Sequence, residues 1–183
     1  MESRELERFE AAVLPHLDAA YTLARYLTRN AHDAEDVVQE ACLRAIRHFD
    51  KFSGGGGADQ ESTARAWLLA IVRNTAYSSR RQLGGRETTE FDERTHSDAV
   101  AEEHPEAALL RSDARDTLAR ALDHLAPEFR EVIVLRELEG LSYKEISDVA
   151  GVPVGTVMSR LSRARTRLQQ VLRDEDEGEG GGT

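Results

Sequence analysis

Apolar residues recur at intervals of three and four over long stretches of this chain, and each such stretch predicts an amphipathic helix. The first runs through Leu6, Phe9, Val13, Leu17, Ala20, Ala24 and Leu27, with Pro15 expected to kink or divide it. The second opens near Asp33 as N-cap and continues through AEDVVQEACLRAIRHF, turning Val38, Cys42, Ala45 and Phe49 inward. Its outer surface gathers Asp36, Gln39 and Glu40, which by themselves read as a solvated helix start that complements the helix dipole. After the glycine-rich loop KFSGGGGADQES, a third helix is expected from about Thr63, with Leu68, Ile71, Val72 and Thr75 on one face. Arg73, Asn74, Tyr77, Arg80 and Arg81 fall on the other. Arginines interleaved with an aromatic and an amide suit single-stranded or melted nucleic acid, where bases stack on rings and phosphates meet guanidinium groups. Trp67 reads first as a core residue and second as a stacking platform.

The last patterned stretch, LSYKEISDVAGVPVGTVMSRLSRARTRL from Leu141 to Leu168, predicts a short helix, a tight turn and a second helix crowded with arginine. Ser142 and Glu145 form a capping box, and Ile146, Val149 and Ala150 give the first helix its apolar face. Gly151 supplies a left-handed C-cap, and Pro153 ends one helix while leading into the next. Val157, Leu161, Ala164 and Leu168 share the buried face of the second helix. Ser159, Ser162, Arg163 and Thr166 must then point outward, flanked by Arg160 and Arg167 on one side and by Met158 and Arg165 on the other. An arginine-rich helix alone is only a solvated basic face. Cap, glycine, turn and second helix together turn the reading toward duplex DNA, with short polar side chains for base edges and flanking arginines for phosphates.

The 183 residues leave room for one or two compact domains, and 5% aromatic content favours helices over sheets, so an all-α fold is expected. A net charge of -10 opposes nucleic-acid binding only as an average, and mapping it along the chain changes the picture. Ser62 to Arg86 carries five arginines and no acid, and Met158 to Arg173 carries five more and no acid. Between them, Glu87 to Asp116 holds ten acids against three arginines, and an acidic, glycine-rich tail follows Arg173. These acidic pieces lack apolar periodicity and read as a flexible linker and a disordered end, tethered close enough to compete with phosphates for the arginine faces. Cys42 is the single cysteine, so no internal disulfide is expected, and the six histidines show no metal-ligand spacing. No apolar run approaches the roughly 20 residues of a membrane span, so a cytoplasmic protein is expected. A hydrolase built on Cys42 would need an oxyanion signature, whereas Cys42 sits inward on its helix like an inert core thiol.

DAEDVVQEACLRAIRHFDKF, ARAWLLAIVRNTAYSSRRQ and LAPEFREVIVLRELEG with the helix-turn-helix after it resemble conserved regions two and four of the extracytoplasmic-function group of bacterial sigma-70 factors. The resemblance covers about Phe9 to Gln82 and Ala114 to Leu172. It implies two small helical domains: region 2 over 1–86, an acidic linker over 87–112, a helix-turn-helix region 4 over 113–173, and a disordered tail over 174–183. Asp36, Gln39 and Glu40 fall where that family binds the clamp helices of the polymerase largest subunit. Trp67, Arg73, Asn74, Tyr77, Arg80 and Arg81 fall in the part that captures melted minus-ten bases. Met158, Ser159, Ser162 and Arg163 fall at base-facing positions of the minus-thirty-five reader, with Thr156, Arg160 and Arg167 nearer phosphates. The chain departs from the pattern at Met158, where many members carry Lys or Arg, and at Gly54 to Gly57 in the loop. The implied partners are core RNA polymerase, promoter DNA and an anti-sigma factor, with no cofactor, no metal, no membrane insertion and no enzymatic step. The alternative is a sigma-like mimic that sequesters an anti-sigma factor without touching DNA.

Overall fold

A computed structural model of the chain describes residues 3–52, 59–82 and 115–179. All regular structure among them is helical: α1 (Ser3–Val13), α2 (Leu17–Thr28), α3 (Ala31–His48), α4 (Asp59–Gln82), α5 (115–123), α6 (Pro127–Ile133), α7 (Tyr143–Ala150) and α8 (Val154–Glu179). The expected linker over 87–112, the glycines Gly54 to Gly57 and residues 180–183 lie outside the described residues.

Pro15 divides the first segment, because it cannot donate to the helix ladder; the chain tightens there into a 3-10 turn over Leu14–His16. α3 begins before Asp33. Its N-cap is Asn30, whose Oδ1 accepts the Asp33 amide at 3.0 Å, so Asp33 is a first-turn acid and not the cap. The buried face moves with that start to Ala34, Val37, Ala41 and Ala45, leaving Val38 and Cys42 half-buried beside it. α4 likewise starts at Asp59 and not near Thr63, since nothing after Gly57 interrupts helix propagation back toward the glycines. Leu68, Leu69, Val72 and Thr75 are buried along it, with Ile71 half-buried. Trp67 joins an aromatic cluster, 4.6 Å from Phe52 and 6.2 Å from Phe49 between ring centroids, and is only half-buried.

In the second half, Pro127 opens α6, where its missing amide costs nothing. α6 runs into a π-helical stretch over Val134–Leu138, and the chain turns at Gly140, φ 67°. The capping box forms as expected: the Glu145 amide donates to Ser142 Oγ at 3.2 Å and the Ser142 amide to Glu145 Oε2 at 2.7 Å. Gly151 closes α7 in the left-handed region at φ 67°, its amide on the Ser147 carbonyl. Val157, Leu161 and Ala164 are buried and Leu168 is half-buried. α8 runs on through Glu179, into the stretch expected to be disordered from Asp174, because no proline stops it and the packed turns upstream supply the nucleus.

The two halves meet. Buried residues of α2, α3 and α4 and those of α6, α7 and α8 belong to one continuous apolar cluster. Its rim is polar and well matched. Arg130, 3% exposed, donates to the carbonyls of Leu122, Asp123 and Leu125 at the end of α5 and to the carbonyl of Tyr26 in α2 at 3.0 Å. Burial pushes its guanidinium down to about 10, with nearby Asp123 opposing, so Arg130 stays charged at neutral pH. Arg29 reaches Asp123 at 3.0 Å across the same seam.

Candidate nucleic-acid interface

The capped turn holds α8 with its front turns clear of the core. Ser159, Ser162, Arg163 and Thr166 are exposed there, and Met158 is 53% exposed, a large apolar side chain facing solvent. Thr156 and Arg160 are half-buried at the edge of this face. Two arginines are restrained by neighbours: Arg165 donates to Glu137 at 2.6 and 3.1 Å, and Arg167 lies over the Phe129 ring at 5.0 Å. Arg163 therefore offers an exposed guanidinium among hydroxyls, the composition that reads base edges.

The face of α4 carrying the other candidates divides. Asn74, Arg80 and Arg81 are exposed. Arg73 and Tyr77 instead turn toward the second half, where the fully buried carboxylate of Glu131 accepts from Arg73 Nε and from the Tyr77 hydroxyl at 2.8 Å. The Arg73 guanidinium also lies 4.6 Å from the Tyr77 ring centroid. Burial, reinforced by Glu131, pushes the Tyr77 hydroxyl well up, so it remains a donor. One turn and more toward the start of α4, Ser62 and Arg65 both donate to Glu145, and Arg65 also reaches the Glu139 carbonyl at 3.3 Å. Beside them an open groove of about 690 Å³ separates α4 from α7, lined by Ala66, Trp67, Ala70, Lys144 and Asp148 among others.

Glu145 makes this seam sensitive to acid. Its burial disfavours charge, but hydrogen bonds from Ser62, from the Ser142 amide and hydroxyl and from Arg65 outweigh that, holding its carboxyl down at about 2 against an ordinary 4.5. A depressed carboxyl stabilises the folded form fully above its ordinary value and loses that contribution as pH falls toward the folded one. We expect the seam to loosen between about pH 4.5 and 2. Fluorescence of Trp67, the sole tryptophan and a neighbour of Glu145 across the groove, reports it. Glu145→Gln should flatten the titration in that window; an unchanged curve would place the acid-sensitive group elsewhere.

On the outer side of α3, Asp36 and Gln39 are exposed and Glu40 is half-exposed, as the spacing predicts. The Arg44 guanidinium, 2.7 Å away, holds the Glu40 carboxyl below its usual range. Sequence reasoning missed that this acidic face continues into Leu43, 48% exposed, and Ile46, 39% exposed. It also missed Glu131, Arg130 and Asp123, and read Glu145 only as a capping-box residue, not as a partner of Ser62 and Arg65. A signal existed in REVIVL, where an Arg–Glu pair directly heads an apolar run, the mark of charges buried with partners.

Among the described residues no helix is long and apolar enough to cross a membrane, and no cluster of ligating side chains would hold a metal. Family models match the chain over both halves: Sigma-70 region 2 over residues 12–86 and Sigma-70, region 4 over residues 115–168. The chain is 37% identical to the ECF RNA polymerase sigma factor SigE of Mycolicibacterium smegmatis, covering 90% of this chain and 61% of that relative. It is 35% identical to the RNA polymerase sigma-H factor of Pseudomonas aeruginosa, covering 90% of this chain and 86% of that one. Its fold superimposes on the sigma factor RpoE of Bartonella quintana, solved with the anti-sigma factor NepR, with a TM-score of 0.68, 32% identity, and 91% of this chain and 98% of that one covered. It also superimposes on CnrH in complex with the cytosolic domain of CnrY, with a TM-score of 0.64, 28% identity, and 92% and 90% covered. The capped helix-turn-helix, the basic face of α4, the acidic face of α3 and these matches agree: the chain belongs to the sigma-70 family, within its extracytoplasmic-function group.

Proposed function

We propose that this chain is an alternative sigma factor that binds core RNA polymerase in the cytoplasm, recognises promoter DNA and directs transcription initiation, under restraint by an anti-sigma factor. The observation that carries this reading is α8, which follows the capped helix α7 and its Gly151 turn and projects Ser159, Ser162 and Arg163 into solvent within a region 4 match. Polymerase supplies the chemistry; the chain itself is no catalyst.

The work divides between the halves. Region 4 docks on the minus-thirty-five duplex, with Thr156, Arg160 and Arg167 toward phosphates and Met158, Ser159, Ser162 and Arg163 toward base edges. Region 2 holds unpaired minus-ten bases through Trp67, Arg73, Asn74, Tyr77, Arg80 and Arg81. That grip offsets the cost, about a few kcal/mol, of unstacking bases and so favours the open complex. The acidic face of α3, with Asp36, Gln39 and Glu40, seats on core polymerase. An anti-sigma partner is supported by the two matched sigma factors, each solved with one bound. The mimic reading is not retained, because the matched relatives are named as sigma factors and Arg163 stays exposed on the groove-facing side.

Run-off transcription with purified core polymerase on a library of random promoters tests the proposal: specific initiation is expected, and dependence on a further specificity subunit would refute it. Within that assay, Arg163→Ala should lose on the order of 1 to 3 kcal/mol of discrimination at one minus-thirty-five position. Unchanged promoter preference in the variant would remove Arg163 from the base-facing set.

A further inference from the structure

Two of the α4 residues assigned to strand capture, Arg73 and Tyr77, are already engaged by the protein's own second half. We propose that Glu131 takes the place of a strand phosphate on Arg73 and Tyr77, so that closure of the two halves and capture of single-stranded DNA compete for the same donors. The proposal rests on the strand-capture reading of α4.

The geometry is that of an anion site. Both carboxylate oxygens of Glu131 are used, Oε1 by the Arg73 guanidinium and Oε2 by the Tyr77 hydroxyl, and Glu131 is fully buried. A guanidinium and a phenol presented side by side are equally able to hold the paired oxygens of a phosphate. Arg73 lies over the Tyr77 ring, so the pair is organised as one platform for a charged backbone and a base.

The energetics favour exchange over permanence. A buried ion pair adds little net stability, because desolvation of the two charges consumes most of the attraction, but stranding either partner without the other is costly. Separating the halves alone therefore leaves Arg73 short of an anion, and a strand phosphate meets that need while Glu131 returns to water. Other polar seam contacts, Arg29 with Asp123, Arg130 with the Tyr26 carbonyl, and Ser62 and Arg65 with Glu145, touch none of the candidate strand-binding groups. They set how firmly closure competes. Binding linkage then makes the coupling reciprocal: whatever weakens closure strengthens strand binding, and the strand opens the molecule. The acids that shield α4 are thus folded into α6 and α7, in addition to any contribution from the tethered acids of the linker.

Small-angle scattering and fluorescence anisotropy on the free full-length protein, with a mixed-sequence single-stranded DNA oligonucleotide as probe, test this. Addition of the oligonucleotide should increase the radius of gyration of the protein. Glu131→Gln and Asp123→Asn should each start from a larger radius and bind the oligonucleotide about tenfold more tightly. Asp123→Asn is the decisive variant, because Asp123 contacts Arg29 and not the α4 face; tighter binding counts for the competition only where the radius grows with it, since a freed Arg29 could attract phosphate without opening. It also carries the test if Glu131→Gln does not fold. Wild-type protein that binds the oligonucleotide without expanding, or folded variants that bind no more tightly, would overturn the competition. Variants that expand yet do not bind the oligonucleotide would instead refute the strand-capture reading on which it rests.

Discussion

Replacing Asp36, Gln39 and Glu40 together with alanine is expected to leave helical circular dichroism intact and to cost roughly a hundredfold or more in affinity for core RNA polymerase. The fold has little stake in these side chains. Asp36 and Gln39 are exposed, and the Glu40–Arg44 pair is a half-exposed surface contact of the kind that contributes only about 0–1 kcal/mol. Alanine is moreover the best helix former. Their value lies in what they present: an acidic patch running into Leu43 and Ile46, apolar side chains left 48% and 39% exposed. A basic partner surface with an apolar seat would be steered by the acids and anchored by the leucine and isoleucine. Titration of labelled protein with core enzyme measures the loss. Wild-type affinity in the folded triple variant would return the three residues to an ordinary solvated helix start.

Arg130→Ala is expected to be the most destabilising single change, at about 3–5 kcal/mol, because it strands buried partners of a charged group. Arg130 is 3% exposed and serves four carbonyls, three where α5 ends and one, Tyr26, in the other half of the molecule. Truncation removes the donor and leaves those oxygens without their partner in a space too closed for easy hydration. The corner between α5 and α6 and the seam with α2 should both weaken. Urea denaturation of the full chain reads the change as a lowered midpoint, and a shift under 1 kcal/mol would mean that water replaces the guanidinium readily.

The helices of this protein were legible in the sequence because their signals are local. Pro15 divides α1 from α2, Ser142 with Glu145 caps α7, Gly151 ends it, and the spacing of Val157, Leu161 and Ala164 sets which side of α8 faces out. Each of these needs only residues within a turn or two, and the same periodicity placed Ser159, Ser162, Arg163 and Asp36 at the surface. Local signals failed where two were in competition. Asn30 and Asp33 are both competent caps, and only the extended backbone at Asn30, φ -143° and ψ 132°, with its bond to the Asp33 amide, chose between them. The run from Asp174 was read as disordered from its charge, yet a helix already nucleated by packing carries it to Glu179.

The sequence by itself determined which faces are basic, which are acidic and which helix presents hydroxyls and Arg163, since charge and period are properties of neighbouring residues. Only the tertiary structure decided that Arg73 and Tyr77 meet Glu131, that Arg65 and Ser62 meet Glu145, and that Arg130 spans the two halves. These partners lie 54 to 104 positions apart in the chain. Helical period says that a side chain points outward from its own helix, but not whether water or another helix waits there, because that depends on how whole apolar faces dock. An arginine on the polar face of α4 and a glutamate in the apolar run of α6 each look misplaced or solvated alone, and become partners only when burial brings their faces together.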